Sequence, residues 1–481
     1  MVGLAVVQMI VISLLFQRAS TDLDTIANGS IPSINAAQAM TQYIEDIDAK
    51  SADFLAAAGL TDVFPCQIAG TNQDLGMLRV HDCDQQTITA EIALANQKIY
   101  EAARNVTYPG ERTAIERIIA GFEDYRADIA RMQYEYALAK DPTDASDPHL
   151  QNAYQAYVAA STILHTKIAQ PPTIGPNGQP VYNEPVVPDC TINGRAVSGD
   201  IWPLGSLEDN MACLSSINKA HLDAAYDDSV GFLGLAFVVT LICCLLFCSL
   251  LSFTAWRMAA TTHRVINLGL TLALLAGLIL SIGVVTQFST LGGRHGAFGQ
   301  MVKDDYDSIY AAALLNHVGN AANADESRWL IAVEFGDQAN IDHWQQDWDQ
   351  NKAEVASLIA AAHANRTYPQ EDQPLADMDN YWAQYTSIDS QIRAAATDQS
   401  VASPVMRLLD GERISTGISN EAFGSFANAV TRLSAANAAY YSRTYTATAA
   451  GLSLFLTVSL VFFPLIGLVA AWGVARRLKE F

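Results

Sequence analysis

The chain has 481 residues, half of them apolar, and its 28 Lys and Arg stand against 50 Asp and Glu for a formal net charge of −22. A chain this acidic, without a basic face, is not a nucleic-acid binder. It contains no G-x-G-x-x-G, G-x-x-x-x-G-K-[ST] or G-x-S-x-G, and its nine histidines form no His-x-x-x-His pair. Neither an enzyme, a cofactor nor a zinc site is therefore expected.

Four apolar runs free of Asp, Glu, Lys and Arg divide the chain: 1–16, 230–255, 265–288 and 449–472. The last three are long enough to cross a hydrocarbon core as helices. The first is short, but it lacks the basic flank and small-residue cleavage site of a signal peptide and leads into a helical pattern, so it reads as a membrane anchor. Its missing positive flank hints at a start upstream of Met1.

Only nine residues, Trp256–Arg264, separate the second run from the third, which makes these two a spanning hairpin. The turn carries Arg257 and Arg264, and the tail carries Arg476, Arg477 and Lys479. The positive-inside rule places both segments, and with them both termini, on the cytoplasmic side of the cell membrane. These 18 residues hold five Lys or Arg and one Glu, a net of +4, which leaves −26 for 17–229 and 289–448 outside.

The expected fold class is thus all-α, a multi-pass protein with four transmembrane helices and two extracytoplasmic helical bundles. The order is span 1–16, bundle 17–229, span 230–255, turn 256–264, span 265–288, bundle 289–448, span 449–472 and tail 473–481. Whether the two bundles pack on each other is not decided by the sequence.

In the first bundle Ile34, Ala37, Met40, Ile44, Ile47, Ser51, Phe54 and Ala58 form one helical stripe after a kink expected at Gly29–Pro32. A loop pinned at Cys66 and Cys83 follows, then helices at about 86–107, 110–140 and 147–169. Seven prolines and five glycines make 170–205 a long loop with room for a short hairpin. Cys66, Cys83, Cys190 and Cys213 are an even set in an oxidising compartment, so disulfides are expected. Proximity favours Cys66–Cys83 and Cys190–Cys213, with three connectivities open. Cys243, Cys244 and Cys248 lie in a span and read as packing residues.

Helices at about 300–335, 339–365, 370–397 and 404–445 build the second bundle, and an internal repeat emerges. Asn105-Val-Thr107-Tyr108-Pro109 matches Asn365-Arg-Thr367-Tyr368-Pro369 at an offset of 260, which also pairs Phe122 and Tyr125 with Trp382 and Tyr385. Upstream, 48–55 aligns loosely with 324–331 at an offset of 276. The chain reads as two copies of span, helical bundle and span. Trp329, Trp344, Trp382 and Tyr385 fall at helical spacing; core packing is the ordinary reading, and a pocket for an amino acid or peptide the sharper one. The acidic run 304–307 reads as a solvated face rather than a calcium loop. Spans without an ionisable residue offer no ion pathway, which disfavours a transporter or channel subunit.

Four stretches, Asn323–Ile331, Thr262–Leu270, Ala471–Glu480 and Asp46–Leu55, resemble the GlnX-type membrane signalling proteins of actinobacteria. The resemblance implies ectodomains similar to the four-helix-bundle sensors of chemoreceptors. It also implies a protein that links an extracytoplasmic amino-acid-binding lipoprotein to a cytoplasmic Ser/Thr kinase. No functional residue is carried over from it. With 18 residues inside, an inward signal needs a partner that reads Arg257, Arg264, Arg476, Arg477 and Lys479. Membrane lipids and a second copy of the chain are further expected partners. The alternative is a prominin-like structural protein that organises the membrane.

Overall fold

The computed structural model describes residues 2–68, 74–108, 110–141, 143–165, 206–262, 267–401 and 403–478, together with four two-residue strands between 173 and 196. It is overwhelmingly helical. Helices α1 (Val2–Asp24), α2 (Ile31–Ala56), α3 (Val80–Arg104), α4 (Glu111–Leu138), α5 (Pro148–His165), α6 (Leu207–Thr262) and α7 (Leu268–Leu291) come first. After a single turn, α8 (Ala297–Gly299), follow α9 (Asp307–Phe335), α10 (Gln338–Ala364), α11 (Asp372–Thr397), α12 (Pro404–Ile414) and α13 (Asn420–Leu478).

Several helix starts are written in the sequence. Ser206 and Asp209 cap α6 reciprocally, each backbone N–H donating to the other's side chain at 3.0 Å. Asp337 accepts from Asn340 N to open α10, directly after Gly336 closes α9 at φ +65°. The kink expected near Gly29 is a π-helical segment, Thr25–Ser30, and a second such segment, Gln300–Tyr306, precedes α9.

Among the described residues, four helices are long and apolar enough to cross a membrane. They extend beyond the apolar runs because nothing stops them: α1 continues to Asp24, and α6 passes through the expected turn as far as Thr262. The rest of that turn, His263–Ile266, lies outside the described residues.

Two compact units emerge. The first comprises Met1–Gly29, Leu222–Asp307 and Asn437–Phe481, and so holds all four apolar runs. Leu235, Leu245, Phe253, Leu275, Ile279, Leu454 and Leu468 are exposed on it, as befits helices meant for lipid. Its close contacts use small residues: a Cβ on Gly269 would stand 2.6 Å from Gly473 Cα, and Asn267 Nδ2 donates to Gly473 O at 3.0 Å. Around the acidic run, Arg18 pairs with Asp22 and Asp228, and Lys303 with Asp223 and Asp307. Asp305 is buried, so the run is not wholly a solvated face.

The second unit comprises Ser30–His221 and Ser308–Ala436. Segments expected to form separate bundles thus contribute to one body. One apolar cluster is drawn mainly from α2 to α6 and includes Phe54, Phe122, Tyr125, Tyr157 and Leu214. The other, from α9 to α13, includes Leu315, Trp344, Trp382, Tyr385 and Phe426. They meet through α9: Ile331 belongs to the first cluster, and Phe335 stacks on Tyr154 at 4.3 Å.

The Cys66–Cys83 loop is more regular than expected. Val63–Gln67 pairs antiparallel with Asp74–Arg79, and the disulfide ties this hairpin to the first turn of α3. Cys213 is disulfide-bonded as well, while Cys190 lies outside the described residues. Of the 170–205 loop, the described residues form two small antiparallel pairs, 173–174 with 180–181 and 191–192 with 195–196.

One turn recurs. Glu111 accepts from Thr107 N at 2.5 Å and Tyr108 N at 2.6 Å, while Asn105 Nδ2 donates to Ser33 Oγ on α2 at 2.7 Å. Glu371 accepts from Thr367 N at 2.6 Å and Tyr368 N at 2.9 Å, while Asn365 Nδ2 donates to Ser308 Oγ on α9 at 2.9 Å. Both asparagines also offer their carbonyl to the threonine hydroxyl two residues on.

Candidate functional site

The second unit is organised around a buried arginine. Arg328 is 1% exposed, and three carboxylates hold it. Its Nε donates to Asp48 Oδ2 at 2.7 Å, Nη1 to Asp325 Oδ1 at 2.8 Å and Nη2 to Glu45 Oε2 at 3.3 Å. Asp48 also accepts from Tyr125 OH at 3.4 Å and Tyr157 OH at 3.2 Å, and Asn351 Nδ2 donates to Asp325 at 2.8 Å. The indole of Trp344 lies 4.8 Å from the guanidinium.

Two histidines continue the network toward α6. His165 Nδ1 lies 3.2 Å from Glu208 Oε2, and His317 Nε2 lies 3.3 Å from Glu208 Oε1. Helices α2, α5, α6 and α9 therefore share one ionic cluster of four carboxyl groups and three basic groups. Burying so many charges is tolerable only because nearly all are paired.

The electrostatics follow from that pairing. Burial lifts the Asp48 carboxyl, but Arg328 and His165 outweigh it and hold Asp48 below the ordinary range. Burial likewise lifts Glu208, and His165 with His317 overcomes it, so this carboxyl is also held down. Burial and Arg328 press His165 toward neutrality, yet Glu45, Asp48 and Glu208 prevail and raise its pKa to about 10. For Asp325 burial wins over Arg328 and Asn351, and its pKa is pushed up to about 7.

A cavity of about 150 Å³ opens on this cluster, lined by Tyr154, Tyr157, His165, Arg328, Asn340 and Trp344 among others. Its aromatic walls with a few convergent polar groups suit a small polar ligand. A larger cavity, about 270 Å³, lies beside Ala56, Gly59, Val405, Leu408 and Leu409 with Asp144 and Glu334 as its acidic groups. It lacks comparable convergence.

Of the four aromatic residues singled out from the sequence, Trp344 alone lines the smaller cavity. Trp329 is buried beneath Arg393, whose guanidinium lies 4.6 Å from its ring. Trp382 and Tyr385 pack on each other at 5.3 Å and against Phe426 and Phe423 in the second apolar cluster. Arg257 and Arg476 are exposed, Arg476 beside Trp472 at 5.6 Å, and Arg477 is half-buried. Arg264 and Lys479 lie outside the described residues.

Sequence reasoning missed Glu45, Asp48, His165, Glu208, His317 and Arg328. A signal existed for three of them. Glu45 and Asp48 each follow an apolar residue of the α2 stripe, Ile44 and Ile47, and Arg328 sits in the stretch aligned with 48–55.

A second polar cluster is built differently. Lys50 pairs with Asp53 at 3.3 Å and Asp84 at 3.8 Å. Glu91, Glu412 and Glu326 are also buried; both carboxylate oxygens of Glu91 and of Glu412 lack a hydrogen-bond partner. Glu326 accepts from Ser415 at 2.6 Å and Ser419 at 3.0 Å, these serines lying in a third π-helical segment, Ser415–Ser419. Burial, followed by the neighbouring Asp389, pushes the Glu326 pKa up to about 8.

No protein-family model matches this chain, and no curated protein or solved structure does either.

Proposed function

We propose that the chain is a membrane sensor and signal-transmission subunit. The second unit is the extracytoplasmic receiver in this reading, formed jointly by the two copies of an internal repeat. The recurrent Asn–Thr–Tyr–Glu turn and the matching π-helical segments before α2 and α9 support the duplication.

The observation that carries the reading is the position of Glu208. It belongs to the ionic cluster beside the cavity, and it opens α6, which continues unbroken to Thr262. Arg257, on the expected cytoplasmic face, is 49 residues further along the same helix. A ligand or solute-binding lipoprotein that shifts the cluster would act on the first turn of the helix that carries Arg257. The cytoplasmic partner is a Ser/Thr kinase or a comparable acidic-faced protein that recognises Arg257, Arg476 and Arg477. An amino acid is the ligand class best matched to a small cavity with an arginine, a tryptophan and amide and hydroxyl groups.

Native extraction of the tag-free chain, followed by identification of bound proteins, tests this. A kinase and a solute-binding protein should co-purify, and Arg476→Ala with Arg477→Ala should release the kinase alone. Recovery of no partner, with lipid or sterol retained between the spans, would instead favour the membrane-organising alternative.

A further inference from the structure

Four groups at one corner of the cluster have more donor capacity than their hydrogen bonds use. Glu45, His165 and Glu208 each offer a ligand atom, and these atoms lie within 4.8 Å of one another. His165 Nδ1 and Glu208 Oε2 stand 3.2 Å apart, and His317 Nε2 stands 3.3 Å from the other Glu208 oxygen. Ligand atoms around a tetrahedral zinc, with bonds of about 2.0–2.1 Å, are separated by about 3.3 Å. The His165–Glu208 edge is therefore already close to the right length, and His317 stands as near to the other oxygen of the same carboxylate.

An unused atom supports a ligand here. Glu45 Oε1 is buried without a hydrogen-bond partner, and Glu45 is 0% exposed. A purely structural ion-pair network has no reason to leave a carboxylate oxygen unsatisfied beside two histidines. A cation held by Glu45 gives that oxygen a partner.

We propose that Glu45, His165, Glu208 and His317 form a binding site for a divalent transition-metal ion of the zinc class. Mixed imidazole and carboxylate donors select such ions over calcium and magnesium, which prefer oxygen alone. The four ligands come from α2, α5, α6 and α9, so a bound ion clamps four helices at a single point. Their wide sequence separation explains why no spacing motif announces the site. The proposal goes beyond the signalling reading and stands without it, since it concerns only what this chain binds.

The test uses the full-length, tag-free chain in detergent, stripped with a chelator and titrated with Co2+ as a spectroscopic probe. One Co2+ per chain should bind with the visible ligand-field absorption of a four-coordinate nitrogen and oxygen site, and Zn2+ should displace it. Glu208→Gln and His317→Gln should each weaken binding at least tenfold, while Trp382→Phe, in the remote apolar core, should not. Circular dichroism of the metal-free proteins establishes that each variant is folded, and either of the first two suffices if the other is not. A folded wild-type chain that takes up neither ion, or uptake unchanged in the folded variants, overturns the site. Because no partner takes part, failure of kinase co-purification leaves this result untouched.

Discussion

The two halves of the second unit share a frame and differ in what they bury. The turns at Asn105–Glu111 and Asn365–Glu371 agree bond for bond, even to the serine that each asparagine reaches on the first helix of its half. Those first helices, however, differ in charge. Helix α2 brings Glu45, Asp48 and Asp53 into the interior, while α9 brings Asp325, Glu326 and Arg328. The guanidinium that neutralises α2 thus belongs to the other half. A local frame satisfies its own backbone; a buried charge must be answered wherever an opposite charge is available. Once Arg328 answers Asp48, neither half keeps its polar core balanced alone.

Removing that answer should have the largest effect. Arg328→Met leaves Asp48, Asp325 and Glu45 buried together without their cation, and should cost about 3–5 kcal/mol in thermal or denaturant unfolding. Asp48→Asn in the Arg328→Met background should recover part of the loss, because it deletes one of the stranded charges. If the double variant proves less stable than Arg328→Met, charge balance is not what joins the halves.

The Glu326 cluster sharpens the contrast, since it is answered by protons. The Glu326 pKa of about 8 in the folded chain stands above its ordinary value of 4.5. For a group raised in this way, the stabilisation is complete below pH 4.5 and disappears as pH rises through 8. Unfolding measured between pH 5.5 and 8.5 should show stability falling with pH, this group contributing a slope of up to about 1.4 kcal/mol per pH unit below its folded pKa. Glu326→Gln, which keeps a neutral hydrogen-bonding group against Ser415 and Ser419, should flatten the curve. An unchanged pH profile in that variant would assign the dependence to other residues.

What was legible in the sequence follows the same division. The helices could be read because apolar periodicity and caps such as Ser206 and Asp337 are local, and the spans because runs such as 230–255 exclude every charge. The recurrent turn was legible because Thr107, Tyr108 and Glu111 act on atoms a few residues away. Assembly of both halves into one unit was not legible, since it depends on pairs such as Asp48 with Arg328, 280 positions apart. Which of the four aromatic residues lines the smaller cavity was not legible either, for a related reason. Trp329, Trp382 and Tyr385 share a helical spacing with Trp344, but spacing does not say which of them faces Arg328. The π-helical segment at Thr25–Ser30 was taken for a kink because Gly29 and Pro32 are breakers in isolation, whereas Pro32 falls in the first turn of α2, where no hydrogen-bond donor is needed.

The smallest effect should be the most even. Glu111 and Glu371 are each almost fully buried, 1% and 2% exposed, and each accepts two backbone N–H groups that the turn would otherwise leave unpaired. Glu111→Ala and Glu371→Ala remove equivalent charge-assisted bonds and should each cost about 2 kcal/mol in the same unfolding assay. The two turns share no partner, so the double variant should lose the sum to within about 0.5 kcal/mol. A large loss at one site and none at the other would show that the turns look alike without carrying the same load. Equal, additive losses would mean that the shared frame bears weight in both halves, although the charges packed on it differ.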